Sequence, residues 1–267
     1  MMPLGDLIRY FNTADSSGDS SLYPKGERAA AWHRGLRLGS LFEPIVDLAR
    51  EHIVGHRATL TARQEDGTPV STEAAYAACE SGEAIVHFDR LCRTLHALNF
   101  LAQRRYAGGY LQLAIHPRHL LAVPNQHGLV YEAILKRCGL APEDIVLEFA
   151  ASQLGSDPHR LAALGNYRRR GYRLALRQPD SATDLAAVGE LQPEIIQLTS
   201  SESAGGPSGS ARELAGIDTV ADLARAKATA IDLGRGALFG GPQSECRPTH
   251  SKHGVAYNSQ SSLGAPT

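Results

Sequence analysis

The chain has 267 residues, 43% hydrophobic and 21% charged, a globular composition that excludes global disorder. Its 27 Lys and Arg nearly balance 28 Asp and Glu, which disfavours a nucleic-acid binder working through a broad basic surface but leaves a local patch open. No apolar run reaches the roughly 20 residues that span a bilayer, no basic segment precedes an apolar leader, and four cysteines without CxxC spacing read as reduced thiols of a cytoplasmic protein.

Residues 4–11 predict a short helix with Leu4, Leu7, Ile8 and Phe11 on one face, too short to be stable alone. Residues 13–27, rich in Ser, Gly and Asp, read as a linker. Strand-like runs follow at 41–48, 52–62, 110–116, 145–150, 172–176, 195–199, 212–217 and 228–233. Helical patterns fall at 72–105 (broken near Ser81-Gly82), 128–138, 159–170, 184–192 and 220–226. Residues 200–210 have the composition of a flexible loop, and 243–267 lack periodicity and read as a disordered tail. The expected organisation is a helix and linker at 1–38, a folded unit at 39–242 and the tail.

Eight strands alternating with helices predict a closed α/β barrel. An open doubly wound sheet is the alternative, and no GxGxxG or P-loop supports a nucleotide site of that kind. Only Ala49, Arg50 and Glu51 separate the first two strands. A parallel crossover needs a dozen or more residues, so these strands form an antiparallel hairpin, which a standard eight-fold barrel lacks.

Seven segments, in order, resemble one family. They are FEPIVDLAREHIVG (42–55), LAIHPRHL (113–120), APEDIVLEFAAS (141–152), RRGYRLAL (169–176), LQPEIIQLTSS (191–201), GIDTVADLARA (216–226) and RGALFGGP (235–242). They are similar to the YQPIVDL, VNLSPRQL, ELTES, LDDFG, LKIDRS, GVET and QGYLF segments of EAL domains, the cyclic-di-GMP phosphodiesterase barrel. The resemblance implies a modified TIM-like (β/α) barrel whose first strand is antiparallel. It also implies hydrolysis by a metal-bound water, with hard divalent cations held by carboxylates and an amide.

The residues that would do this are mostly replaced. Arg57 stands at the signature Glu, Ala114 at the Asn of the next strand, and Ala151 at the second Glu of ELTES. Arg177 and Gln178 replace the paired Asp of LDDFG, Gln197 the Lys of LKID, and Ala215 the Glu before GVET; Glu148 alone is kept. The family's set is strongly acidic, whereas Glu148 with Arg57 and Arg177 carries a formal +1. Such a cluster repels a divalent cation, since at an effective dielectric near 20 two unit charges ~4 Å apart interact by roughly 4 kcal/mol. The expectation is a degenerate, non-catalytic member that uses no cofactor or metal.

Cyclic-di-GMP contacts implied by the resemblance fall at Glu43, Leu60, Thr61 and Arg235, with Arg63 near enough to reach a phosphate. Glu43 is a poor substitute, because it sets an acid beside an anion. The family's helix between its sixth and seventh strands is also missing: only SSESAGGPSGSA separates Thr199 from Arg212. Apolar sheet surface would be left for the N-terminal helix, the tail or a partner chain to cover. A relocated metal site at His56, His116 and His119 is the lesser reading, and surface hydrogen bonding accounts for the latter two. The expected function is therefore regulatory protein–protein interaction in cyclic-di-GMP-related signalling. The alternative is a metal-independent cyclic-di-GMP receptor.

Overall fold

The computed structural model describes residues 2–14, 18–104, 107–123, 128–150, 152, 154, 157–177, 190–198, 200 and 209–249. Helix α1 (Leu4–Ala14) packs on a hairpin of β1 (Ser20–Lys25) and β2 (Arg28–His33). The Asn12 amide clasps the backbone of Leu22 through two 2.8 Å hydrogen bonds, fixing the short helix that could not stand alone. The long strands β3 (Leu36–Asp47) and β4 (His52–Arg63) form the antiparallel hairpin that the three-residue connection requires. β5 (Pro69–Val70) adds a short edge to β4.

Helices α2 (Thr72–Ala77) and α3 (Gly82–Ala102) follow. Ser71 and Ser81 cap them by accepting the N–H groups of Ala74 and Ala84 at 3.1 Å, which explains the break near residue 81. Next come β6 (Tyr110–Ala114), α4 (Pro117–Ala122), α5 (Leu129–Cys138), β7 (Ile145–Ala150), α6 (Pro158–Arg169) and β8 (Arg173–Arg177). The last elements described are β9 (Ile195–Leu198), β10 (Ala211–Leu214), α7 (Val220–Ala228) and β11 (Leu233–Gly234).

The strands β3, β4, β6, β7, β8, β9, β10 and β11 close a ring, because β3 pairs with both β4 and β11. β3 runs antiparallel to both neighbours, and the other pairings in the ring are parallel. This is the TIM-like barrel expected, with an antiparallel first strand. Among the described residues no helix is long and apolar enough to cross a membrane.

The larger core lies between sheet and helices. The α3 stripe Phe88, Leu91, Cys92, Leu95, Leu98 and Leu101 is buried there, as its spacing predicts. A second, smaller core fills the barrel: Ile45, Tyr110, Val146, Ala175 and Ile195. Gly55 makes room for it, since a Cβ there would sit 2.7 Å from the Tyr110 ring.

Several readings are corrected. Residues 20–25 are a strand, although they lie in the stretch read as linker. A polar strand can still be held, because Leu22 alone on β1 is buried and the ladder to β2 supplies the rest. The start of the tail is likewise held, by hydrogen bonds and by the single buried side chain of Cys246, without an apolar period. Gln243 exchanges two with Phe42, at 2.6 and 3.0 Å, and the Thr249 hydroxyl accepts the Gly108 N–H at 2.9 Å. Residues 250–267 lie outside the described residues.

The same holds for most of the predicted helix at 184–192 and, apart from Ser200, Gly209 and Ser210, for the connection between β9 and β10. All four residues of β9 are buried, and α1 sits on the β1–β2 hairpin.

Candidate functional site

Alternate residues on a strand share a face. One step along from the apolar plug in the barrel, each strand therefore presents a polar side chain: Glu43, Gln112, Glu148, Arg177 and Gln197 stand two residues from Ile45, Tyr110, Val146, Ala175 and Ile195. Arg57, Glu213 and Arg235 complete this layer, tied to it by hydrogen bonds.

Glu148 on β7 is its centre and is 1% exposed. Arg57 reaches it from β4 with a two-pronged contact, Nε to Oε2 at 2.7 Å and Nη2 to Oε1 at 3.0 Å. Arg177 donates to Oε1 from β8 at 2.5 Å. Gln112 and Gln197 each donate to Oε2 at 3.3 Å. The layer continues through Gln197, which also donates to Glu213 at 3.0 Å. Arg235 then joins Glu213 at 2.9 Å to Glu43 at 2.8 Å.

Three carboxylates thus meet three guanidiniums, and the layer is formally neutral. The +1 read for this place is corrected, because Glu213 was not counted and Glu43 and Arg235 pair with one another. Burial pushes the Glu148 carboxyl up, but the Arg57 hydrogen bonds and the charges of Arg57, Arg177 and Arg235 outweigh it and hold the group well below the usual range. Burial likewise works against the Arg57 charge, and Glu148 more than restores it. Glu213 goes the other way. Its burial, reinforced by Glu148, exceeds what Arg235 and Gln197 return, so its carboxyl is raised.

The remaining predicted residues scatter. Ala114 is exposed at the end of β6 and Ala215 half-buried after β10; neither methyl can ligate anything. Leu60 is 8% exposed and packs in the outer core, on the face of β4 opposite Arg57. Thr61 and the exposed Arg63 lie further along β4, where Arg63 donates to the Gly67 carbonyl at 3.0 Å. Ala151 and Gln178 lie outside the described residues. A cavity of about 400 Å³ opens over the layer, lined by Tyr76, Ala114, His116, Arg118, Glu148 and Arg177. Arg177, with 48% of its side chain exposed, is the cation of the layer that solvent reaches most freely.

The three histidines do not converge. His56 is fully buried beside Phe100, with ring centroids 6.1 Å apart, and burial lowers its pKa to about 4. His116 caps α4 and stacks on Tyr76 at 4.2 Å. His119 is not at the surface as expected: it is buried, with Nδ1 3.2 Å from Asp89 and Nε2 3.2 Å from the Tyr167 hydroxyl. Asp89 also pairs with buried Arg93 at 2.7 Å, which makes this a clasp among helices and not a ligand site. Among the described residues no three His, Cys, Asp or Glu gather in a way that could hold a metal. The barrel's carboxylates already serve guanidiniums, so this donor set does not fit a hard divalent cation.

Glu213 and Gln112 were missed. Gln112 interrupts the apolar run YLQLA, where a buried polar residue demands a partner, and that signal would have found it; Glu213 follows Arg212 in ARELA and carries no such signal.

A family model described as EAL domain matches residues 29–226. No curated protein matches the chain. Solved structures similar to it include BlrP1 of Klebsiella pneumoniae in a manganese and cyclic-di-GMP complex (18% identity, TM-score 0.63, 77% of this chain and 56% of that one). Another is a standalone EAL protein of Vibrio cholerae O395 with cyclic-di-GMP bound (17%, 0.63, 80% and 95%). A third is the YkuI protein of Bacillus subtilis with calcium and cyclic-di-GMP (15%, 0.64, 79% and 57%). At these identities the likeness shows the fold, and the chain spans little more than half of the Klebsiella protein.

Proposed function

Since the chain belongs to the EAL domain family, we propose that it is a non-catalytic member, acting by binding in cyclic-di-GMP-related signalling. The observation that carries this is the engagement of Glu148 by Arg57 and Arg177. The one carboxylate retained from the family's metal-holding set has both oxygens committed to cations within 3.0 Å. A metal-bound water needs carboxylates free to turn toward the ion, and here two fixed positive charges stand in its place.

The neutral layer also leaves little free charge for a bridging dinucleotide phosphate, because Arg57 and Arg235 are spent on Glu148, Glu213 and Glu43. We therefore place a protein partner first, in a cytoplasmic setting. The second reading, a cyclic-di-GMP receptor without hydrolysis, rests on Arg177 and Arg118, which both line the cavity over the layer. Arg177, half exposed, can turn a guanidinium to a phosphate there, whereas Arg118 must first release the Tyr76 and Cys79 carbonyls, to which it donates at 3.3 and 2.7 Å.

Titration calorimetry with cyclic-di-GMP in EDTA, beside native mass spectrometry of the protein drawn from its host, separates them. The expected result is no heat and a second chain held in fixed stoichiometry. Heat at micromolar ligand that survives EDTA establishes the receptor instead. A strictly monomeric protein that gives no heat contradicts both.

A further inference from the structure

The β1–β2 hairpin pairs with β3 only from Ala31 to His33. Nearer its tip it leaves β3, and the N–H and C=O of Ala29 bond the Asn99 side chain instead, at 2.8 and 3.0 Å. The fork opened between the two hairpins is a cavity of about 380 Å³. Lys25, Arg28, Arg37 and Arg63 all line it, and among the described residues no Asp or Glu does.

None of these four cations is in an ion pair among the described residues. Elsewhere the chain pairs its arginines freely, as Arg34 with Asp19 and Arg170 with Glu132 show. Arg28 Nη1 is buried and has no hydrogen-bond partner among the described residues, an unmet donor at the fork. The acids of the neighbouring turns, Glu27, Glu65 and Asp66, are exposed and stay out of the lining. The floor is small and polar enough for close approach: Gly39, Ser40, Thr61 and Asn99.

We propose that this fork binds a compact polyphosphate anion, the phosphate chain of a small molecule. Guanidiniums recognise phosphate oxygens through paired donors. A cavity this size suits a small ligand better than a macromolecule. Four unpaired cations match the several charges of a di- or triphosphate, and a single phosphate would leave most of them unanswered. Lys25 and Arg28 precede the segment that matches the family model, while Arg37 and Arg63 lie within it, so the N-terminal hairpin supplies two of the four cations and the β3–β4 hairpin the other two.

Calorimetry of the full chain at low salt, with pyrophosphate, tripolyphosphate and ATP as probes, tests it. Tripolyphosphate should bind, weaken at least tenfold in Arg28→Ala/Arg37→Ala, weaken with added salt, and be unaffected in Lys136→Gln on α5. Circular dichroism confirms that the double variant is folded. Equal affinity for ATP and tripolyphosphate assigns the site to the phosphate chain alone; tighter ATP binding adds the nucleoside and still supports it. No heat from any probe at millimolar concentration, or binding undiminished in the folded double variant, overturns it.

Discussion

Arg57 and Glu148 meet across the intervening strand β6, with two hydrogen bonds of 2.7 and 3.0 Å inside the barrel. Two charges taken from water together stabilise little on balance, but either left alone is costly. Glu148→Gln should therefore lower the unfolding free energy by about 3 kcal/mol, in the range found for breaking buried pairs. Arg57→Leu/Glu148→Leu should recover most of that loss. Urea unfolding of the wild type, Arg57→Leu, Glu148→Leu and the double variant reads the coupling directly, and additive losses would show the pair to be incidental.

Arg177 contacts the same carboxylate from its solvent side, with half its side chain exposed. Water screens that contact, so Arg177→Ala should cost no more than about 1 kcal/mol. A loss as large as that of Glu148→Gln in the same urea experiment would put Arg177 in the buried network after all.

Glu213 sits 1% exposed with its carboxyl raised by burial, and its Oε2 lacks a hydrogen-bond partner among the described residues. A raised carboxyl contributes stability below its unfolded pKa and loses it as pH rises through the folded value. At neutral pH the charged form is the strained one. Glu213→Gln should leave thermal stability at pH 7 unchanged or higher, while Glu148→Gln lowers it; a clear drop in Tm for Glu213→Gln refutes the assignment.

Burial lowers the pKa of His56 and of His96 to about 4, so both are neutral in the folded protein at pH 6. The unfolded chain binds those protons first, at about 6.5. Stability is full above about 6.5 and falls as pH drops toward 4, on the order of 3 kcal/mol for each group. Below about pH 4 the protonation of Glu148, held low when folded, continues the loss. His56→Leu should flatten the slope between pH 6.5 and 4; an unchanged slope removes His56 from the account.

The barrel is legible because strand-like runs alternate with helical patterns and the first connection admits only a hairpin. Sequence reading found Arg57, Glu148 and Arg177 because each stands at a position that the motifs number. It did not find Glu213 or Gln112, since no motif marks them and their partners lie on strands remote in sequence. The charge of the layer followed that omission, because pairing, not composition, decides which charges remain free. Residues 20–25 were lost for a different reason: backbone ladders hold them, and a ladder leaves no hydrophobic period to read.

In the proposed reading, the guanidiniums on Glu148 close this barrel to metal-dependent hydrolysis. Incubating the full chain with cyclic-di-GMP and millimolar Mg²⁺ or Mn²⁺, and following the linear dinucleotide by chromatography, tests it most directly. No product above the buffer blank is expected. Product that accumulates with time and is abolished by Glu148→Ala contradicts it.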